Sequence, residues 1–238
     1  MNRLVPDRLR SFPQVAEHNW LIHDCMVGFL REAATQTQGR LVDIGCGRKP
    51  WRSIFEPHVS EYVGVDLGSS AQGTQDVDII GSAYATGLPD GQADTVLCTE
   101  VLEHLEDPPA AIREMHRILS PGGIVVLTVP LFWHIHEAPR DFYRFTNFGL
   151  RYLFERAGFE VIEMRPLTGF IVTFGQLLVY YNRRFAKGRV LAGMFRLINW
   201  GIQHISRILG RFDKSTEFSC LYGLIARKQD DRVKLERG

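Results

Sequence analysis

The sequence predicts an α/β fold, with helices on both faces of a doubly wound, mostly parallel sheet. Short apolar strands alternate with helical patterns through the first two thirds of the chain, and proline and glycine mark the clearest helix ends. A length of 238 residues accommodates one domain of roughly 200 residues plus an appendage. With 45% hydrophobic and 23% charged residues, the composition fits a soluble globular protein and excludes a disordered or fibrous chain.

The elements follow in order. Val15–Glu32 reads as an amphipathic N-terminal helix, and strand candidates occupy Arg40–Ile44, Tyr62–Val65, Val77–Ile80, Thr95–Thr99 and Ile124–Val129. Asp107–Leu119 is a helix opened by Pro108-Pro109 and closed by Pro121-Gly122-Gly123, with Ile112, Met115, Ile118 and Leu119 on one face. A helix over Asn147–Ala157 stops at Gly158 and leads into a strand over Phe159–Met164. A helical insert precedes a closing strand over Phe218–Ala226. The expected organisation is therefore a helical cap (1–38), a cofactor-binding core (39–168), the insert (169–217) and a last strand with a charged tail (218–238).

The formal charge of +1 gives no reason to expect nucleic acid. It conceals an asymmetry, because Arg165 to Lys214 holds nine bases and one acid, Asp213. Cys25, Cys46, Cys98 and Cys220 show no zinc-type spacing, so no metal is expected, and they suit a reducing compartment. The N-terminus lacks the apolar core of a secretory signal and there is no run of 18 apolar residues, which points to the cytoplasm.

The first strand runs into Asp43-Ile44-Gly45-Cys46-Gly47, a glycine turn that presents bare backbone N–H groups to a ligand. Pro50 stands where a dinucleotide fingerprint would have its third glycine. Asp43, at a strand end, could meet a cationic ligand group. Asp66, at the end of the second strand, suits a grip on ribose hydroxyls.

Four further features follow in order: Asp66, Leu88-Pro89-Asp90-Gly91 before Asp94, Glu100-Val101-Leu102-Glu103-His104-Leu105, and Leu119-Ser120-Pro121-Gly122-Gly123. The set resembles the class I S-adenosylmethionine-dependent methyltransferases, and within them the small-molecule type 11 group, over roughly Leu41 to Glu160. The resemblance implies a Rossmann-like core binding S-adenosylmethionine. It implies that Asp43, Gly45, Cys46 and Gly47 line the methionine end, that Asp66 holds the ribose, and that Leu67 packs on adenine. Ser82 and Ala83 fall where the group commonly has Asp-Ala beside the adenine amino group, and Thr99 and Glu100 would face the cofactor. Glu103-His104 reads as a helix-start pair that caps and packs. His136 to Thr146 looks like a subgroup associated with glycan and secondary-metabolite pathways.

The loop after the fifth strand gathers Trp133, His134, His136, Glu137, Arg140, Asp141, Tyr143 and Arg144. His136 is the candidate base, with Glu137 or Asp141 as its orienting partner. In the insert, Leu191, Phe195, Ile198, Ile202, Ile205, Leu209 and Phe212 put one apolar stripe on a helix, and Gly193, Gly201 and Gly210 weaken the pattern of one unbroken helix. The stripe fits a lid packed on the core, which is favoured, or a membrane-surface helix, or a homodimer seam over 189–212.

The function expected is methyl transfer to a small-molecule, glycan or lipid-linked acceptor. The alternatives are a non-catalytic cofactor-binding scaffold, which would not need the polar loop, and a nicotinamide-dependent oxidoreductase, which lacks support in the missing third glycine and missing Tyr-x-x-x-Lys.

Overall fold

The computed structural model describes residues 5–9, 11–12, 16–69 and 73–229. Its described residues divide into two compact units: those within 30–130, 135–165 and 222–229 form one, and those within 5–29, 131–134 and 166–221 form the other.

The first of these carries a seven-stranded sheet built from β1 (Arg40–Ile44), β2 (Glu61–Asp66), β3 (Ile79–Ile80), β4 (Ala93–Thr99), β5 (Leu119–Pro130), β6 (Phe159–Pro166) and β7 (Leu221–Lys228), in the order β3-β2-β1-β4-β5-β7-β6. The pairs β1–β2, β1–β4, β2–β3 and β4–β5 are parallel, so the chain reverses its direction of winding at β1/β4. Ligands of doubly wound folds bind at that switch point, outside the carboxyl ends of the strands. Both faces of the central strands are covered, and Leu41, Val42, Val96, Leu97, Val125, Val126 and Leu127 are fully buried.

The helices begin with α1 (Trp20–Ala34) and the single turn α2 (Arg52–Phe55); the expected start of α1 at Val15 lies outside the described residues. In α3 (Pro108–Ile118) the Asp107 side chain accepts from the backbone N–H of Ala110 at 3.1 Å, and the two prolines occupy the first turn, where no N–H is needed. Ala111, Ile112, Met115 and Ile118 form its buried face. In α4 (Asn147–Arg156) the Thr146 hydroxyl caps the backbone N–H of Gly149. The strand expected over Val77–Ile80 shrinks to Ile79–Ile80, because the Asp78 side chain turns back to accept from Gly64 N–H (2.6 Å) and to pair with Lys49.

The second unit contains α5 (Phe170–Asn182) and α6 (Gly188–Leu209). The glycines of the insert do not interrupt its second helix. α6 is one unbroken helix of 22 residues through Gly193 and Gly201. Its apolar stripe is also not what it buries: the buried residues are Asn199, Gln203 and Ser206. The cause is a polar network. Gln203 donates to the carbonyl of Glu17 (2.7 Å), Asn182 donates to Asn199 (3.0 Å), and Gln176 of α5 donates to the carbonyl of His18 (2.6 Å). At Gly175 a Cβ would lie 2.1 Å from the Ser206 hydroxyl oxygen, so the bare backbone lets the two helices meet there. A buried amide left unpaired costs more than an apolar side chain left in water, so the hydrogen-bonded arc faces inward.

Candidate functional site

The glycine turn after β1 folds as its composition requires. Gly45 and Gly47 both have left-handed φ, +72° and +49°, and a Cβ on Gly45 would stand 2.4 Å from a methyl of Val101. The turn is pinned from β2. One oxygen of Asp66 accepts from Gly47 N–H at 2.8 Å and the other from Leu67 N–H at 2.7 Å. Each carboxylate oxygen keeps a further lone pair, so Asp66 can still accept from two vicinal hydroxyls. Leu67 beside it is exposed. Cys46 is buried, and burial pushes its thiol up to about 12, which makes it a packing group.

Asp43 is 2% exposed and accepts from the Tyr62 hydroxyl at 2.6 Å. Burial raises its carboxyl to about 7 despite that hydrogen bond and the nearby Lys49, and Asp66 adds to the rise. A carboxylate so desolvated gains from a cationic ligand group. These features fit S-adenosylmethionine, with an anionic group for its cationic end, a cradle that a Cβ would fill, and a free-faced acceptor pair beside an open apolar surface. Ser82 closes a local turn, its hydroxyl accepting from the N–H groups of Tyr84 and Ala85, with Ala83 buried beside it. Thr99 accepts from the Trp51 indole N–H at 3.1 Å.

At the end of β4, Glu100 takes a left-handed φ of +52°, as do Lys49 (+50°) and Glu137 (+51°). These are the non-glycine residues with positive φ among those described, and all three border the site. Such strain persists only where surrounding structure imposes it. Burial raises the Glu100 carboxyl to about 7, opposed by Thr128 and Arg144. Glu103 is fully buried, neither of its carboxyl oxygens has a hydrogen-bond partner, and burial together with Glu100 pushes it well above the carboxylate range.

The loop after β5 is laced onto the turn Leu102–His104. The backbone carbonyl of Glu103 accepts from Phe142 and Tyr143 N–H, the Arg140 carbonyl meets His104 Nδ1 at 2.6 Å, and the Tyr143 hydroxyl donates to the Glu106 carbonyl. This fixes His136 beside His104, with ring centroids 4.8 Å apart.

Between the two partners named for His136, the geometry selects Asp141. Its carboxylate lies 3.5 Å from Nδ1 and accepts the His136 backbone N–H at 2.9 Å. Arg144 grips Asp141 through two bonds of 2.6 and 2.8 Å, holding that carboxyl below the usual range. Glu137 is 63% exposed and faces His104 at 3.8 Å. Burial, His104 and Arg144 lower the His136 pKa against the opposing pull of Asp141 and Glu137. His134 belongs to the other compact unit, where it packs on Tyr180 with Trp133.

Glu103 and His104, read from sequence as capping residues, lie inside the cluster. Ligand atoms of Glu103, His104 and His136 fall within 4.8 Å of one another, an arrangement able to hold a metal ion. Their spacing after an apolar strand was the available signal: a carboxylate one residue from a histidine at a strand's carboxyl end.

The family defined as "Methyltransferase domain" matches residues 20–164, more than half of the chain. The chain belongs to the class I S-adenosylmethionine-dependent methyltransferases. Among curated relatives, a ubiquinone biosynthesis O-methyltransferase of Pseudomonas aeruginosa is 28% identical over 146 residues, covering 56% of this chain and 60% of the relative. An uncharacterized methyltransferase of a Mycobacterium species is 37% identical over 112 residues, covering 43% and 44%. The chain thus matches less than two thirds of the length of these relatives. Among solved structures, phosphoethanolamine N-methyltransferase 2 of Haemonchus contortus, in complex with S-adenosylmethionine, is similar with a TM-score of 0.55 and 17% identity, covering 94% of this chain and 60% of that one. The cyclase SpnF is similar with a TM-score of 0.57 and 21% identity, covering 87% and 80%. These structures share the fold with this methyltransferase-family chain, and the cyclase among them illustrates that fold alone does not fix chemistry.

Proposed function

We propose that this chain transfers a methyl group from S-adenosylmethionine to a hydroxyl of a small-molecule or lipid-linked acceptor, with His136 as the base and Asp141 as its positioning residue. The carrying observation is the relay Arg144–Asp141–His136 on the loop after β5. The O-methyltransferase relatives support oxygen as the nucleophile. The bound cofactor supplies an electrophilic methyl on a sulfonium. Asp43, Asp66 and the Gly45–Gly47 turn, themselves pinned by Tyr62 and by the Asp66–Gly47 bond, would hold and orient it. His136, with its lowered pKa, is neutral near pH 7, and Asp141 beside Nδ1 favours the tautomer that leaves Nε2 as acceptor. With the cofactor bound, Nε2 of His136 would take the acceptor's hydroxyl proton, and the sulfonium would supply the methyl and leave as the neutral thioether. Alignment of the nucleophile supplies up to about 7–11 kcal/mol of the barrier reduction, and a base adds about 10²–10⁴-fold.

A second reading rests on the fully buried Glu103 carboxyl, whose oxygens accept no hydrogen bond: with His104 and His136 it would bind a divalent cation, and His136 would then be a ligand rather than the base. Cell extract and methyl-labelled cofactor test both. Labelled product from the parent, lost about 10²–10⁴-fold in His136→Ala with S-adenosylhomocysteine affinity retained, supports the base. Labelling abolished by a chelator and restored by magnesium supports the cation. Tight S-adenosylhomocysteine binding with no labelled product would refute catalysis and leave a binding protein.

A further inference from the structure

α6 is inverted relative to an ordinary surface helix. Val190, Leu191, Met194, Leu197, Ile198, Ile205, Ile208 and Leu209 are all exposed, Val190 by 85% and Leu197 by 62%, and at 3.6 residues per turn they share an arc of about 120°. The opposite arc is hydrogen-bonded inward through Asn199 and Gln203. Rotating the helix to bury the apolar arc would therefore break that network. α5 adds Phe174, Leu178 and Tyr181, also exposed and spaced along one face, and Phe185 in the turn after it is exposed and stacks on Phe195 of α6. Soluble proteins seldom leave so many neighbouring large apolar side chains in water without a use for them.

The charge along these two helices is basic, and of the flank residues Arg196 meets Glu17 at 3.8 Å. Arg189 and Arg196 lie on one flank of α6, with Trp200 between them and the apolar arc, and Arg183, Arg184 and Lys187 crowd the turn between the helices. Lys187, Arg189, Arg211 and Lys214 are exposed and make no ion pair among the described residues. Asp213 is the one acid from Arg165 to Lys214, and it is engaged by the backbone N–H of Ile171 and by Ser215.

We propose that the α5–α6 face docks on an anionic lipid bilayer, its apolar arc sunk into the headgroup boundary and its bases against lipid phosphates. The pattern is that of an interfacial helix: a wide apolar face, a flank of Lys and Arg, and an aromatic between the two. Long basic side chains can extend past the apolar arc to reach phosphates. A second copy of the chain fits less well, because α6 itself carries no acid and antiparallel self-pairing would set Arg189 against the like-charged flank of its copy. The arrangement is peripheral, since no helix among the described residues is long and apolar enough to cross a membrane. It does not depend on the acceptor or on the chemistry of His136.

Sedimentation with vesicles tests it, using phosphatidylcholine alone and phosphatidylcholine mixed with phosphatidylglycerol. The full chain should sediment with the mixed vesicles at low salt and be released at high salt, because screening shortens the reach of the field to about 3 Å at 1 M. Arg189→Glu/Arg196→Glu should weaken binding by more than about twentyfold, at about fivefold for each base removed. Leu197→Gln/Ile205→Gln should abolish it with circular dichroism unchanged, since both side chains are already in water. No binding to mixed vesicles at low salt would overturn the proposal, as would equal binding to neutral and anionic vesicles. A dimer in sedimentation velocity that Leu197→Gln/Ile205→Gln dissociates, with no lipid binding, would assign the face to a second copy and also overturn it.

Discussion

Replacing Asp43 with Asn should make the cofactor-free protein more stable and more so as pH rises. Asp43 is buried and its carboxyl is raised to about 7, whereas in the unfolded chain it titrates near 3.9. Between these values the folded state binds a proton that the unfolded state has lost, so stability falls as pH rises through the interval. At pH 5 the cost is about 1–2 kcal/mol and by pH 8 about 4 kcal/mol, at about 1.4 kcal/mol per tenfold change in protonation. Asn keeps an acceptor for the Tyr62 hydroxyl, removes the ionisation and so relieves this cost. Thermal unfolding of parent and Asp43→Asn, without cofactor, should show the variant melting higher by several degrees at pH 8. The gap should narrow by about 5–10 °C at pH 5, at about 2–4 °C per kcal/mol for a chain of this size. Glu100 and Glu103 titrate in the same direction, but they contribute to both proteins and cancel in the difference. The variant should bind S-adenosylmethionine more weakly, the stability having been sacrificed for a buried anion. A melting difference independent of pH, or a variant less stable at pH 8, would refute the reasoning.

Three further outcomes are expected. Asp66→Ala should weaken S-adenosylhomocysteine binding by about tenfold to over a hundredfold in calorimetry, since hydrogen bonds to a charged group are worth about 1.5–3 kcal/mol; parent-like affinity would remove Asp66 from the site. Gly45→Ala should lose cofactor affinity and about 1–3 kcal/mol of stability in urea unfolding, because it combines a left-handed φ with a Cβ 2.4 Å from Val101. The rate against pH should stay flat through neutrality and fall only below the ordinary histidine range, because His136 must lose its proton to act and its pKa is lowered; an acid limb above about 6.5 would contradict this.

Much of the first unit was legible residue by residue. β1 falls on Arg40–Ile44 as expected, and Asp107 with Pro108-Pro109 starts α3, because strand alternation and helix capping are settled by neighbours a few positions apart. The glycine turn and Asp66 were legible for the same reason: each needs a residue type that few others can replace. The partner of His136 was not. Glu137 is adjacent in sequence but turns toward His104, while Asp141 reaches His136 because Arg144 and the carbonyl of Glu103 shape the loop. Glu103-His104 looked like a cap because nothing local reveals that a loop more than thirty residues later closes over it.

By itself the sequence determined the order of the elements, the glycine cradle with its two acids, and which residues of α6 share an arc, since all of these follow from spacing along one chain. Only the tertiary structure decided which arc of α6 faces inward and which acid lies beside His136. The periodicity of a helix groups side chains but carries no direction. The direction comes from partners remote in sequence, the carbonyls of Glu17 and His18 and the bare backbone of Gly175, whose hydrogen bonds and close approach outweigh the burial of an apolar stripe.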